Sequence, residues 1–567
     1  MYRETPVSRL STMRETGISR YIFIGEVMEM PIYNSLYPST VSLPAYNVRA
    51  LGVVGNGIRK ETRAIQQIID QCAQHGGGTI YFPAGIYLTG SLHLRSFITL
   101  YLDAGATLLF SRDFEDYPPV QTRWEGVECY GFSPLIYGNN LENISVIGRG
   151  TLDGQGSVWW DAFKERREQG RTGPETEFER ELARLNTGYE SSGSGGGGRE
   201  TQFLRPPLVQ FMNCRNVHLE GLTHQNSPFW NTHLVYCENV VIRSVTFKNP
   251  PNAPNTDGLD LDSCRNVRVS DCYFDVGDDC LCLKSGMDAD GRRVGKPTEN
   301  ITITNCTMLH GHGGVVIGSE IAGSVRNVTI SNCIFLGTDR GIRLKARRGR
   351  GGIVEDLRVS NILMKRVLSP IVMNMFYRCG AKPEDWYFSS EPQPITETTP
   401  VFRNMAFANI TAREVRAAAG FLHGLPEMPI QEVRFHDLLI EMSPLLEEIT
   451  EPPAMMFGLK PMAGKGIWGK YLQDVQFAHV RIETQQGEGL FLEESQDIEI
   501  YRFSLKNFRK EIPGIVLNQV ENACIHACLQ GSLSENFIQL QGQQTRNIFL
   551  DDRYFTHVTQ GFLPRSG

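Results

Sequence analysis

Four short motifs supply the residue types that acid-assisted cleavage of an acetal requires: Asn255-Thr256-Asp257-Gly258, Gly277-Asp278-Asp279-Cys280, Gly311-His312-Gly313-Gly314 and Arg343-Leu344-Lys345. Together they offer three carboxylates, an imidazole and two cations. Their spacing is close to periodic: 22 residues from Asp257 to Asp279, 33 on to His312, 31 to Arg343, and 32 from Lys345 to Tyr377. If each step is one coil of a sheet wound on itself, these residues lie on neighbouring strands about 4.8 Å apart and form one patch. Carboxylates gathered that tightly repel one another, so at least one keeps a proton near neutrality. A carboxylic acid to protonate the leaving oxygen and a carboxylate to activate water are then both at hand.

The elements that would position the patch recur along the chain. A unit of the form charged-Asn-aliphatic-x-aliphatic appears at Asn143, Asn216, Asn239, Asn266, Asn300 and Asn327, with Asp356 in the same place. It continues more loosely at Asn404, Glu432, Asp474, Asp497, Asn522 and Asn547. Most steps are 23 to 34 residues, too short for four-stranded blades and suited to a three-faced coil. The recurring Asn falls where the chain turns between faces, because its short amide tolerates left-handed backbone. Ahead of the array, Glu61 to Gln74 carries Ile65, Ile68, Ile69, Cys72 and Ala73 at helical spacing and stops at Gly76-Gly77-Gly78. Such a one-sided helix can cover the open first coil, whose core and strand edges would otherwise face water. We expect an all-β solenoid over 46–567 with an amphipathic capping helix, and a lead-in or small β element over 1–45.

Two intervals near the patch exceed one coil. The surplus near 156–205 contains Trp159-Trp160 and the run Ser191-Ser-Gly-Ser-Gly-Gly-Gly-Gly; the surplus near 379–400 contains Trp386 and several prolines. Long insertions in compact arrays usually carry function, so both are expected to wall the patch, with the glycine run itself flexible.

Composition narrows the partners. A net charge of −7 gives no general attraction to nucleic acid or acidic lipid, so affinity for an anion must be local. No run of eighteen apolar residues offers a membrane span, and Met1-Tyr-Arg-Glu-Thr-Pro does not start a basic-then-apolar leader. Thirteen cysteines with no CxxC pair argue against structural zinc, and no metal or other cofactor is expected. Cys214, Cys237 and Cys264 precede the ladder Asn by two residues, while Cys272, Cys306 and Cys333 follow Asp271, Asn305 and Asn332. Read as thiols stacked in the core, they suit a reducing compartment, so a cytoplasmic location is expected, or export if a leader has been trimmed.

The four motifs, in this order and spacing, resemble the polygalacturonase family of glycoside hydrolases (family 28), right-handed parallel β-helices that cleave pectic polysaccharides. The likeness is good over about 46–380 and rests on the repeat alone beyond that. It implies Asp278 as general acid, Asp257 and Asp279 holding and deprotonating the water, and inversion at the anomeric carbon. It further implies that His312 supports the acid's protonation and that Arg343 and Lys345 bind a substrate carboxylate, with Asn255 also on the substrate. Leu344 stands where the family usually has isoleucine, and Tyr377 falls where the family has a site tyrosine, in looser surroundings.

Further candidates for substrate contact are Lys284 and, as a sugar platform, Trp230 with His233. Asp260 and Asp262 read as structural or solvated, and Arg347, Arg348 and Arg350 as a basic run that either meets a polyanion or is simply solvated. The expected activity is hydrolysis of α-1,4-linked galacturonate, exo-acting because the two insertions can close one end of a groove. The alternatives are an endo-acting or rhamnogalacturonan-directed hydrolase on the same scaffold, a pectate lyase, or a solenoid that only binds saccharide.

Overall fold

The computed structural model describes residues 45–191, 195–445, 451–507, 509, 511–530 and 537–551. Residues 1–44 of the expected lead-in and 192–194 of the glycine run lie outside these. The described chain is a right-handed parallel β-helix. One face is a 14-stranded parallel sheet running from Leu92–His93 to Ile538–Gln541. The other two faces merge into a 26-stranded sheet, because long strands such as Ile353–Lys365 and Val401–Val415 run through the corner between them.

Alternation of side chains explains what each coil contributes. In the 14-stranded sheet, the six strands that matter for the site are β1 (Thr232–Val235), β2 (Leu259–Asp262), β3 (Leu281–Lys284), β4 (Val315–Gly318), β5 (Arg340–Lys345) and β6 (Ser369–Asn374). Their register stacks Leu234, Leu261, Leu283, Ile317, Leu344 and Met373 in one inward ladder, all buried. The residues on either side therefore point out of the coil. Helix α1 (Thr62–Gln74) buries Ile65, Ile68, Ile69 and Cys72 in the same core, as its spacing predicts.

Every ladder residue predicted from the repeat, from Asn143 to Asn547, has left-handed backbone, with φ between 50° and 59°. The asparagines also bond to one another between coils: the Asn239 amide donates to Asn216 Oδ1 at 3.3 Å, Asn266 to Asn239 at 3.4 Å and Asn300 to Asn266 at 3.0 Å. A second ladder at another corner, Asn305, Asn332, Asn361 and Asn409, repeats the device. Its trace in the sequence was the Asn or Asp preceding Cys272, Cys306 and Cys333. All thirteen cysteines are unbridged, and Cys237 and Cys264 donate to carbonyls of the preceding coil. Among the described residues no helix is long and apolar enough to cross a membrane.

The first insertion folds into α2 (Ser157–Glu168) and α3 (Glu177–Leu185), tied together by an Arg166–Glu179 ion pair and a capping box at Thr176. The basic run is neither solvated nor free for a polyanion. Arg348 grips both oxygens of Glu427 at 2.6 and 2.8 Å and the carbonyls of Tyr387 and Ser389, so it clamps the second insertion to the coil. Arg350 pairs with Asp288 at 2.8 Å, and the Arg347 guanidinium lies over the Tyr387 ring.

Replacing Asn266 by Ala removes two inter-coil amide bonds and should destabilise the protein by about 1–3 kcal/mol. Gly, which takes the positive φ freely, should cost less. Urea midpoints for the two variants check this; an unchanged midpoint for Ala would leave the ladder without energetic weight.

Candidate active site

The register brings the motif residues together as their spacing predicts. Asp257 precedes β2, Asp278 and Asp279 precede β3, and His312 precedes β4, so all four sit at the same end of adjacent strands. Arg343 and Lys345 point outward from β5 on either side of the buried Leu344. These six, with Asn255, Lys284, Trp230 and Tyr377, line one cavity of about 230 Å³.

Asp279 is the best-anchored acid. Lys345 Nζ donates to its Oδ2 at 2.6 Å and Arg343 Nη1 to its Oδ1 at 3.2 Å, with all three side chains almost fully buried. The two cations are thus not idle before a substrate arrives. Arg343 Nη1 also donates to the His312 carbonyl at 3.3 Å, and the Tyr377 ring lies within 5.7 Å of the guanidinium and 5.4 Å of the ammonium.

The other two acids differ in charge state. Burial, with Asp278 and Asp260 nearby, pushes Asp257 well above the usual carboxylate range. Burial would do the same to Asp278, but His312, Lys345 and Arg343 outweigh it and hold Asp278 below its usual value. Asp278 Oδ1 lies 3.1 Å from His312 Nδ1, and that carboxylate raises the imidazole to about 9. In the free site the protons therefore sit on Asp257 and on the Asp278–His312 pair, which titrates as a unit.

One candidate lies away from the cavity, and two that line it also have partners within the protein. His233 does not reach the cavity: it is 1 % exposed, within 2.9 Å of Gln210 Nε2 and 3.5 Å of Asp262. Trp230 lines the cavity but is not an open platform, since Phe229 stacks on it at 5.0 Å and the Lys284 ammonium lies 4.5 Å from its centroid. Asn255 is at the wall, but its Oδ1 accepts from the buried Arg205 at 2.7 Å, which fixes the turn carrying Asp257. Asp260 and Asp262 are wholly buried rather than solvated. Asp262 pairs with Arg123 at 2.8 Å, and Asp260 lies 3.6 Å from Lys284 with burial raising its carboxyl far above the usual range.

Four wall segments complete the site, and two of them had no sequence signal that we read. Glu125, at the tip of an antiparallel hairpin (Pro119–Trp124 and Val127–Phe132), accepts from Gly195 N at 2.8 Å and Gly197 N at 2.7 Å. Those glycines belong to the first insertion, so the described end of the glycine run is held rather than loose. Cys379 closes from the second insertion, its Sγ donating to Gly195 O at 2.8 Å. Met455 arrives from a segment between the strands Ile430–Met442 and Lys465–Lys470, its Sδ 3.1 Å from Arg343 Nη2. Glu320, also missed, ion-pairs with Lys284 at 3.1 Å; despite its burial, Lys284, Arg350 and Lys345 pull it down to about 2.

Ligand atoms of Asp257, Asp279 and Cys282 lie within 4.8 Å of one another, a spacing that can hold a metal ion. Both oxygens of Asp279 already take cations from the protein, however, which opposes a further positive charge there.

Comparison with known proteins decides the family. The profile of Glycosyl hydrolases family 28 matches residues 191–456, and that of Rhamnogalacturonase A/epimerase, pectate lyase-like, matches 45–115. A relative from Vitis vinifera, "Probable polygalacturonase", is 31 % identical over 74 % of this chain and 79 % of its own. The chain belongs to glycosyl hydrolases family 28. A Thermotoga maritima exopolygalacturonase structure is similar at 33 % identity and TM-score 0.61, over 70 % of this chain and 87 % of its own. An endo-polygalacturonase of Pectobacterium carotovorum subsp. carotovorum is 30 % identical over 57 % of this chain and 75 % of its own. The family-28 chain is accordingly a glycosidase, and its cavity is the place to seek the chemistry.

The proton on the Asp278–His312 pair can be watched directly. His312, half exposed, should titrate near 9 by NMR in the native protein and fall toward about 6.5 in Asp278→Asn. The sign follows for stability: the pairing contributes fully below about 6.5 and is lost as pH rises through about 9. A native His312 pKa near 6.5 would break the pair.

Proposed function

We propose that the chain hydrolyses α-1,4-galacturonosidic bonds of galacturonan by single displacement with inversion, working from a chain end. One observation carries the chemistry: a proton-bearing Asp278–His312 pair faces the same small cavity as Asp279, whose oxygens are fixed by Arg343 and Lys345. Asp278 passes the pair's proton to the glycosidic oxygen as the bond from the anomeric carbon to that oxygen breaks. A water lodged between Asp257 and Asp279, whose oxygens are within 4.8 Å, can bond to both at about 2.8 Å each. Asp279 takes its proton while the water oxygen bonds to the anomeric carbon. Positioned acid-base groups of this kind contribute about 10² to 10⁴ in rate.

End action is supported by the walls. Glu125, Gly195, Cys379 and Met455 converge from four segments on a space of about 230 Å³. A walled space of this size favours one chain end over an extended oligomer. An open groove along the rod would favour internal cleavage instead. Early products from polygalacturonate decide it: monomer alone supports the reading, a ladder of oligomers assigns internal cleavage, and an unsaturated product assigns a lyase. Asp278→Asn should lower turnover at least a hundredfold with the fold intact; a loss below tenfold would remove Asp278 from the acid role.

Charge recognition is the second part. Lys345→Met should weaken hydrolysis of polygalacturonate roughly a hundredfold, the scale of one charge-assisted contact of about 1.5–3 kcal/mol. The loss should be smaller on a methyl-esterified substrate. Equal losses would assign Lys345 to holding Asp279 and not to reading the substrate.

A further inference from the structure

A second basin adjoins the catalytic cavity. It measures about 340 Å³ and lies among Phe163, Arg166, Arg167 and Arg171 of the first insertion, and Gly196, Glu200 and Gly380. Among the described residues, Arg167 and Gly196 line both spaces, so the two meet along that arginine and a glycine. A side chain added at Gly196, whose φ is +117°, would stand 3.3 Å from Cys379 Sγ and crowd this threshold.

The charges of the basin are not equivalent. Arg166 is spent on Glu179 and Arg171 on Glu165 and Glu175, at 3.3 and 2.9 Å. Glu200 is the one acid in the lining. The Arg167 guanidinium is exposed and has no ion-pair or hydrogen-bond partner among the described residues. Among the described residues the neighbouring cations Arg166, Arg171, Lys284, Arg343 and Lys345 are each paired within the protein, which sets Arg167 apart. An acidic polymer lodged by its end in the cavity must leave it somewhere, and the threshold past Gly196 is bordered by this one unmatched cation.

We propose that the basin is a subsite for the uronate unit that protrudes from the catalytic cavity, with Arg167 binding its carboxylate. The assignment rests on the galacturonan reading above. The Arg167 fork can take a carboxylate through two N–H donors, while Arg166 and Arg171, though paired, hold the basin positive overall against Glu200. Arg167 is thereby a specificity residue for acidic chains and not a catalytic one, since it reaches the sugar next to the bond that is cut.

Steady-state kinetics on trigalacturonate test this. Arg167→Gln should raise KM about tenfold with a smaller change in kcat, and Arg167→Lys should recover part of the loss because the charge remains. The difference between wild type and Arg167→Gln should shrink as salt rises, since an exposed pair is screened within about 10 Å at 0.1 M. Arg180→Gln, an exposed arginine of the same insertion paired with Glu177, should change KM less than twofold and controls for general steering. A wild type that turns over trigalacturonate while Arg167→Gln keeps its KM, or Arg167→Lys as impaired as Arg167→Gln, overturns the basin assignment alone. A wild type inert on trigalacturonate overturns the galacturonan reading beneath it.

Discussion

Parallel hydrogen bonding from coil to coil is the constraint on which everything else in this protein depends. It fixes the register of successive strands, and with the register it fixes which side chains become neighbours across 22 to 33 residues of sequence. Asp279, Arg343 and Lys345 meet because β3, β4 and β5 each place their inward leucine or isoleucine in one stack. A slip of one residue in any strand would turn its outward charges into the core. The corner asparagines hold the register at the turns, where the sheet alone would leave the chain free to slide.

Within that frame, electrostatics divide the acids. All three motif aspartates line the cavity, yet only Asp279 bonds directly to two cations, only Asp278 lies against an imidazole, and Asp257 lies mainly among other acids. Asp257 and Asp278, chemically identical and one coil apart, are thus pushed in opposite directions. The further buried pairs, Arg123 with Asp262 and Lys284 with Glu320, extend the same balance below the cavity, where an unmatched charge would be costly.

The coil, its cap and the convergence of the motif residues were legible in the sequence because each leaves a periodic trace: asparagine at the corner, alternating aliphatics, motif residues at nearly one-coil spacing. What escaped were contacts without a period. Glu125 sits on a hairpin whose approach depends on Gly195 and Gly197, 70 and 72 residues away. Met455 and Glu320 likewise enter by tertiary packing. His233 and the arginines of the basic run failed for a related reason: adjacency to the site is visible in a repeat, but which loop covers a residue is not. Arg348 is buried only because the second insertion folds over it.

The walls also set an order of events. The strands that carry the motif residues and the first wall lie N-terminal to Tyr377, whereas Cys379, Glu427, which anchors the second insertion through Arg348, and Met455 lie after it. A chain emerging from the ribosome can therefore lay down Asp257, Asp278, Asp279, His312, Arg343 and Lys345 in a groove still open on one side. Closure waits for roughly the last third of the polypeptide, so the motif residues and part of the walls over them come from separate stretches of the chain. Changes in the late segments can reshape the cavity's walls while the coils that hold the acids stay as they are.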